Sequence, residues 1–268
     1  MNAADILIGT SGWVFDDWAG LFYPLRVPRT KWLEYYAYRF PCGEVNATYY
    51  GLLRTSAFEG MARRTPDQFA WFVKTHSDVT HTRTEPARSM SQLKEITRPL
   101  KESGKLRGYL AQFPHAFQHT ERNIEYLKSI SDLAGDTPLC VEYRHASWNR
   151  EDVREMMRAE GMIWVCPDEP PLKDLLPFEL HTTGDFGYVR LHGQNGANWY
   201  GGQGGDRYDY LYSEEELTSL LDKLLSVEAP IKKIHVFFNN CPYAKAPTNA
   251  WWLQQRLPSN HDESELSL

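Results

Sequence analysis

Along this chain, short and almost wholly apolar runs alternate with longer segments in which apolar residues return every three or four positions. The short runs read as strands at Asp5–Thr10, Gly43–Asn46, Phe69–Lys74, Gly108–Phe113, Leu139–Tyr143, Met162–Cys166, Gly187–His192 and Lys233–Asn239. None has a sustained polar face, which is the pattern of parallel strands covered on both sides. Helical spacing falls on residues 31–40, 89–103, 121–133, 151–160 and 247–257. A further helix opens at Ser213-Glu214-Glu215-Glu216, where a serine cap precedes acids in the first turn. Strand and helix alternating through eight units predict an α/β fold, a single (β/α)8 TIM-type barrel over residues 1–258. A doubly wound open sheet is the alternative, because a strand count does not prove closure. Residues 259–268 (SNHDESELSL) are polar and acidic, and are expected to form a disordered tail.

The strand ends carry the chemistry. Side chains two apart share a face of a strand. Reading only the C-terminal ends gives Glu44 and Asn46, Lys74, Gln112, Glu142 and Arg144, Arg190 and His192, and Asn239, with Asp168 just past the sixth strand. Barrel interiors are normally filled with Val, Ile and Leu, and barrel active sites are built at this end. A ring of both charges there predicts a ligand or catalytic pocket, with a structural ion-pair network as the alternative. In the pocket reading, Glu142, His192 and Glu44 are the candidate catalytic acids and bases. Arg144 and Arg190 offer fork-shaped donors to phosphate or carboxylate. Lys74 is open to an imine, an anion contact or a plain salt bridge, and Asn46, Gln112 and Asn239 would orient the substrate. His145 lies out of phase with Glu142 and Arg144.

Two loops add aromatic residues. The glycine-rich stretch 193–212 follows the seventh strand and holds Trp199, Tyr200 and Tyr208, which would stack on a sugar or base or form a lid. Trp13 and Trp18 flank Asp16-Asp17 in the first loop, either as a pocket wall or as an apolar cover.

Composition narrows the function classes. Apolar residues make up 42% of the chain and charged residues 24%, as in ordinary globular proteins. Basic residues number 29 against 35 acidic, and the net charge of −6 disfavours a nucleic-acid partner. Cys42, Cys140, Cys166 and Cys241 are widely spaced and read as buried reduced thiols. No apolar run suits a membrane span or a signal peptide, so a cytoplasmic protein without a membrane partner is expected. No nucleotide-cofactor fingerprint is present, and a divalent metal on Glu142, Asp168 and His192 lacks any HxH or HExxH spacing.

The whole chain resembles the YecE-like family, also called domain of unknown function 72. The resemblance rests on GTSGW at 9–13, FYP at 22–24, EVNATYY at 44–50 and the run from Phe72 to His81. It continues through QFP at 112–114, VEYRHASW at 141–148, VRLHG at 189–193, FFNN at 237–240 and Asn249-Ala250. Ala146 stands where the family more often has proline, and Phe113 where leucine is usual. The resemblance implies a TIM-type barrel and adds weight to the strand-end residues, Asn240 included, without giving them a role. The reading that follows is an enzyme acting on a small anionic, phosphorylated or sugar-like metabolite, with Trp13 and Tyr200 as further pocket contacts. A nucleic-acid-binding or repair-type barrel and a non-catalytic scaffold are the alternatives. Arg190→Ala is expected to weaken ligand binding and leave the fold largely intact.

Overall fold

The computed structural model describes residues 4–201, 205–227 and 231–258, so the expected tail at 259–268 lies outside the described residues. Eight parallel strands form one sheet: β1 (Asp5–Thr10), β2 (Cys42–Val45), β3 (Ala70–Lys74), β4 (Leu106–Gln112), β5 (Leu139–Glu142), β6 (Ile163–Asp168), β7 (Phe186–Leu191) and β8 (Lys233–Phe238). From β2 to β8 each strand pairs with the next in the chain, and β8 pairs with β1, so the sheet curls into a barrel with one seam between β1 and β2. A parallel bridge from Ser11 to Glu44 nearly closes that seam. All eight expected strands are present, each within two residues of its expected ends.

The seam is held by a side chain. The Tyr36 hydroxyl accepts from Thr10 N at 2.8 Å and donates to Cys42 O at 3.0 Å, replacing a missing rung of the ladder. Gly9 permits this approach, since a Cβ there would stand 2.3 Å from Cys42 O. Tyr36 comes from α1 (Trp32–Arg39), the first of the outer helices.

The other helices are α2 (Thr55–Arg64), α3 (Ser77–Thr80), α4 (Pro86–Glu102), α5 (Glu121–Ala134), α6 (Glu151–Ala159), α7 (Glu214–Leu225) and α8 (Lys245–Gln254). Local signals start several of them: proline in the first turn of α4, Thr120 capping α5, and a full capping box between Ser213 and Glu216 on α7. Helix α2 escaped the periodicity reading because Phe58 and Met61 are its only buried residues. One expectation is corrected outright. No helix joins β6 to β7; residues 169–185 form an irregular crossover instead. Pro170, Pro171 and Pro177 explain it, because proline lacks the N–H and collides with the preceding turn.

Two apolar layers result. Inside the barrel, Cys42, Ala70, Phe72, Leu110, Cys140, Ile163, Val165, Tyr188 and Phe237 form one cluster. The larger cluster lies between sheet and helices. All four cysteines are buried and unpaired. Among the described residues, no helix is long and apolar enough to cross a membrane.

Candidate functional site

The inner cluster fixes the phase of each strand, and stepping two residues beyond it reaches the barrel mouth. From Cys42 the step leads to Glu44 and Asn46, from Phe72 to Lys74, from Leu110 to Gln112, and from Cys140 to Glu142 and Arg144. From Tyr188 it leads to Arg190 and His192, and from Phe237 to Asn239. On β6 the same phase runs Ile163, Val165, Pro167 and then Glu169. The expected Asp168 therefore faces outward, where it accepts from Tyr212 Oη at 2.5 Å and Gln194 Nε2 at 2.7 Å. Glu169 takes its place in the ring.

The lower tier of the mouth is a closed ionic lattice. Arg190 sits fully buried and donates to Glu44 through Nε at 2.9 Å and Nη2 at 2.7 Å, and to Glu142 through Nη1 at 2.6 Å. Tyr188 Oη donates to the same Glu44 at 2.6 Å. The upper tier is tied to the lower by Arg144, which meets Glu142 Oε1 at 2.6 Å, pairs with Glu169, and lies 3.1 Å from His192 Nε2. Asn239 Nδ2 lies 2.9 Å from His192 Nδ1 and completes the chain.

This lattice sets the protonation states. Burial opposes ionisation of Glu142, but Arg144, Arg190 and His192 outweigh it and hold the carboxyl well below its ordinary value. Burial and the neighbouring Arg144 push His192 down to about 3, so its ring is neutral near pH 7. Burial raises Glu169 to about 8, with Arg144 pulling against it and Glu142 reinforcing it. Lys74 is lowered to about 7 by burial and by Arg190.

Above the lattice lies a cavity of about 370 Å³. Lys74, Gln112 and Arg144 form its floor; Tyr49, Trp199, Tyr200 and Tyr208 stand around it, with His81, His115 and Arg207. Lys74 Nζ donates to Gln112 Oε1 at 2.9 Å and lies 4.6 Å from the centre of the Tyr49 ring. Trp199 is buried, with the Arg144 guanidinium 5.8 Å from its ring centre, so the glycine-rich loop folds over the mouth. That loop leaves β7 at Gly193 with φ +92, where a Cβ would meet Tyr210 Cβ at 2.6 Å.

Of the residues expected at the site, Lys74, Gln112, Arg144 and Tyr200 line the cavity, as do Trp199 and Tyr208 of the same loop. Glu44, Glu142, Arg190 and His192 are buried beneath it, so they support its floor instead of facing its contents. Asn46 and Asn239 are partly buried at the mouth outside the lining. Asn240 lies elsewhere, donating to Tyr210 O at 2.8 Å and Asn249 Oδ1 at 2.9 Å, which pins the loop to α8. Trp13 packs outside the barrel, its ring centre 4.8 Å from that of Trp71, and Trp18 is a buried cover whose Nε1 donates to Cys241 O at 2.8 Å. Tyr49, Tyr50, His81, His115 and Arg207 were not singled out, since loop residues carry no periodicity that aims them at a pocket.

Glu142, Glu169 and His192 bring ligand atoms within 4.8 Å of one another, a donor set suited to a divalent ion. Arg144 contacts all three, however, so an ion there would have to displace a buried guanidinium. The trio fits an arginine better than a metal.

Over residues 7–267 the chain matches the family described as Protein of unknown function DUF72. It is 32% identical over 252 residues to UPF0759 protein YunF of Bacillus subtilis (strain 168), with 88% of each chain covered. The solved structure of a DUF72 family protein from Thermotoga maritima MSB8 matches with a TM-score of 0.86 at 38% identity, covering 94% of this chain and 98% of that one. A DUF72 family protein of Enterococcus faecalis V583 matches with a TM-score of 0.83 at 26% identity, covering 93% and 94%. The resemblance read from the strand-end motifs is thus a membership, and the chain belongs to the DUF72 family.

Proposed function

We propose that the barrel mouth is the active site of an enzyme acting on a small anionic metabolite that carries a flat or ring-shaped portion. One observation carries this reading. Among the described residues, the cavity lining includes Lys74, Arg144 and Arg207 and no carboxylate, in a chain whose net charge is −6. Positive charge concentrated against the sign of the whole molecule selects anions at that place. Arg207 has no carboxylate within ion-pair distance among the described residues, and Arg144 Nε is buried without a hydrogen-bond partner. Both leave donor capacity for a phosphate or carboxylate. Tyr49, Tyr200 and Tyr208 supply aromatic faces for the remainder of the ligand.

The proton-handling groups differ from those expected in sequence. Glu142 and His192 are fixed in one protonation state by the lattice, whereas Lys74 and Glu169 sit near neutrality at about 7 and about 8. Groups poised near the working pH exchange protons most effectively. Lys74, on the cavity floor, is the one placed to touch a substrate.

A thermal-shift panel of phosphorylated sugars, sugar acids, nucleoside monophosphates and short oligonucleotides tests the reading. A ligand at 100-fold its dissociation constant adds about 2.7 kcal/mol. Stabilisation by one class of small anion is expected; stabilisation by oligonucleotides alone, or by nothing in the panel, would contradict it.

A further inference from the structure

Lys74 is partly buried on the cavity floor, and the fold buries a second lysine almost completely. Lys105, at the opposite end of β4, is 4% exposed and saturated: its Nζ donates to Ala62 O and to Thr65 O at 2.7 Å, with Asp67 at 3.9 Å. That is how a structural lysine is accommodated. Lys74 Nζ has a single neutral acceptor, Gln112 Oε1, and no carboxylate within ion-pair distance among the described residues. The acids near it, Glu44 and Glu142, are both engaged by Arg190. It therefore presents an amine to the cavity with little to hold it as an ammonium.

From this we infer that Lys74 is a nucleophile, and that the substrate class is an anionic aldehyde or ketone captured as an imine. The inference rests on the anion-binding reading above. The amine lone pair attacks the carbonyl carbon and forms the C–N bond of a carbinolamine. The C–O bond then breaks, the two amine protons leave with that oxygen as water, and no oxidant or reductant is consumed. Arg144 and Arg207 hold the acidic group, which places the carbonyl over the floor where Lys74 sits. The charged and titratable groups that face the amine are Glu44 from β2, Tyr49 from the turn after β2, Arg144 and Glu142 from the end of β5, Arg190 from β7, and His81 after α3. Their combined influence, with burial, lets a large fraction of the amine be neutral at pH 7, whereas an exposed lysine titrates at about 10.4.

The test is reductive trapping. The full chain is incubated with pyruvate or with glyceraldehyde 3-phosphate plus sodium cyanoborohydride, then weighed intact and mapped by peptide mass spectrometry. One adduct per chain is expected, at Lys74, with the mass of the carbonyl compound less one oxygen atom. Trapping should be half-maximal near pH 7, absent in Lys74→Arg, and shifted to higher pH in Gln112→Glu, which keeps the amine but gives it a carboxylate partner. Labelling confined to other lysines, or a Gln112→Glu profile that does not move, overturns the inference. Thermal stabilisation by the same compounds without reductant separates the two readings. Stabilisation with no adduct removes the imine and leaves the anion pocket; the absence of both removes both.

Discussion

Arg190 shows how a residue can be found by pattern and still be misread in role. Its position two residues before His192 marks it as inward-facing, and it is. In the fold its donors are spent on Glu44 and Glu142, with full burial on every side. Removing one member of a buried ion cluster leaves the others uncompensated, at a cost of about 3–5 kcal/mol. Arg190→Ala is therefore expected to lose that much stability in urea denaturation, not to spare the fold as the sequence alone suggested. Near-native stability in that variant would return Arg190 to the list of ligand contacts. Asp168 and Glu169 teach the complementary point. The phase set by Ile163 and Val165 was legible in the sequence and selects Glu169; ending β6 early at Cys166 hid it.

At the scale of elements, the β1–β2 seam depends on one hydroxyl from α1. Tyr36→Phe leaves Thr10 N and Cys42 O unpaired in a buried place, which costs about 1–3 kcal/mol. The expected readout is a lowered urea midpoint together with faster hydrogen exchange at Thr10; unchanged exchange would show that the seam closes by other means. Strand β8 carries a second such dependence. His235 is buried among Phe72, Phe186 and Phe237 with Nδ1 unpartnered. Burial, then Arg107 and Lys233, lowers it to about 3. A histidine depressed on folding contributes stability that is complete above its ordinary value of about 6.5 and is lost as pH falls toward the folded value. His192, also lowered to about 3, acts in the same window. His235→Phe should therefore shrink the stability difference between pH 7 and pH 4.5 by about 2 kcal/mol, measured from denaturation at both pH values. An unchanged difference would mean that His235 does not titrate with unfolding. Strands were legible because burial on both faces leaves a run with no polar side. Helix α2 and the proline-bearing crossover were not, since two large apolar residues make a weak period and three prolines override helix spacing.

For the whole molecule, eight apolar runs and the family motifs were sufficient to indicate a barrel, and the pairing of β8 with β1 establishes the curl that counting could not. The mouth was legible at the strand ends and in the glycine-rich loop, whose Trp199, Tyr200 and Tyr208 line the cavity. The remaining lining comes from other loop residues, such as Tyr49, His81 and Arg207, which converge through tertiary packing alone. The result is a division of labour: a buried lattice of Glu44, Glu142, Arg190 and His192 maintains the fold, while Lys74 and Arg144 on the cavity floor meet the ligand together with Arg207 and the tyrosines around it. The most direct measurement takes the anion that stabilises the wild type and compares its thermal shift in Arg207→Ala and Arg190→Ala. Arg207→Ala is expected to keep the wild-type melting temperature and lose the ligand shift, while Arg190→Ala melts much lower before any ligand is added. An Arg207→Ala protein with its ligand shift intact, beside an Arg190→Ala protein that melts normally and no longer responds, would contradict that division of labour.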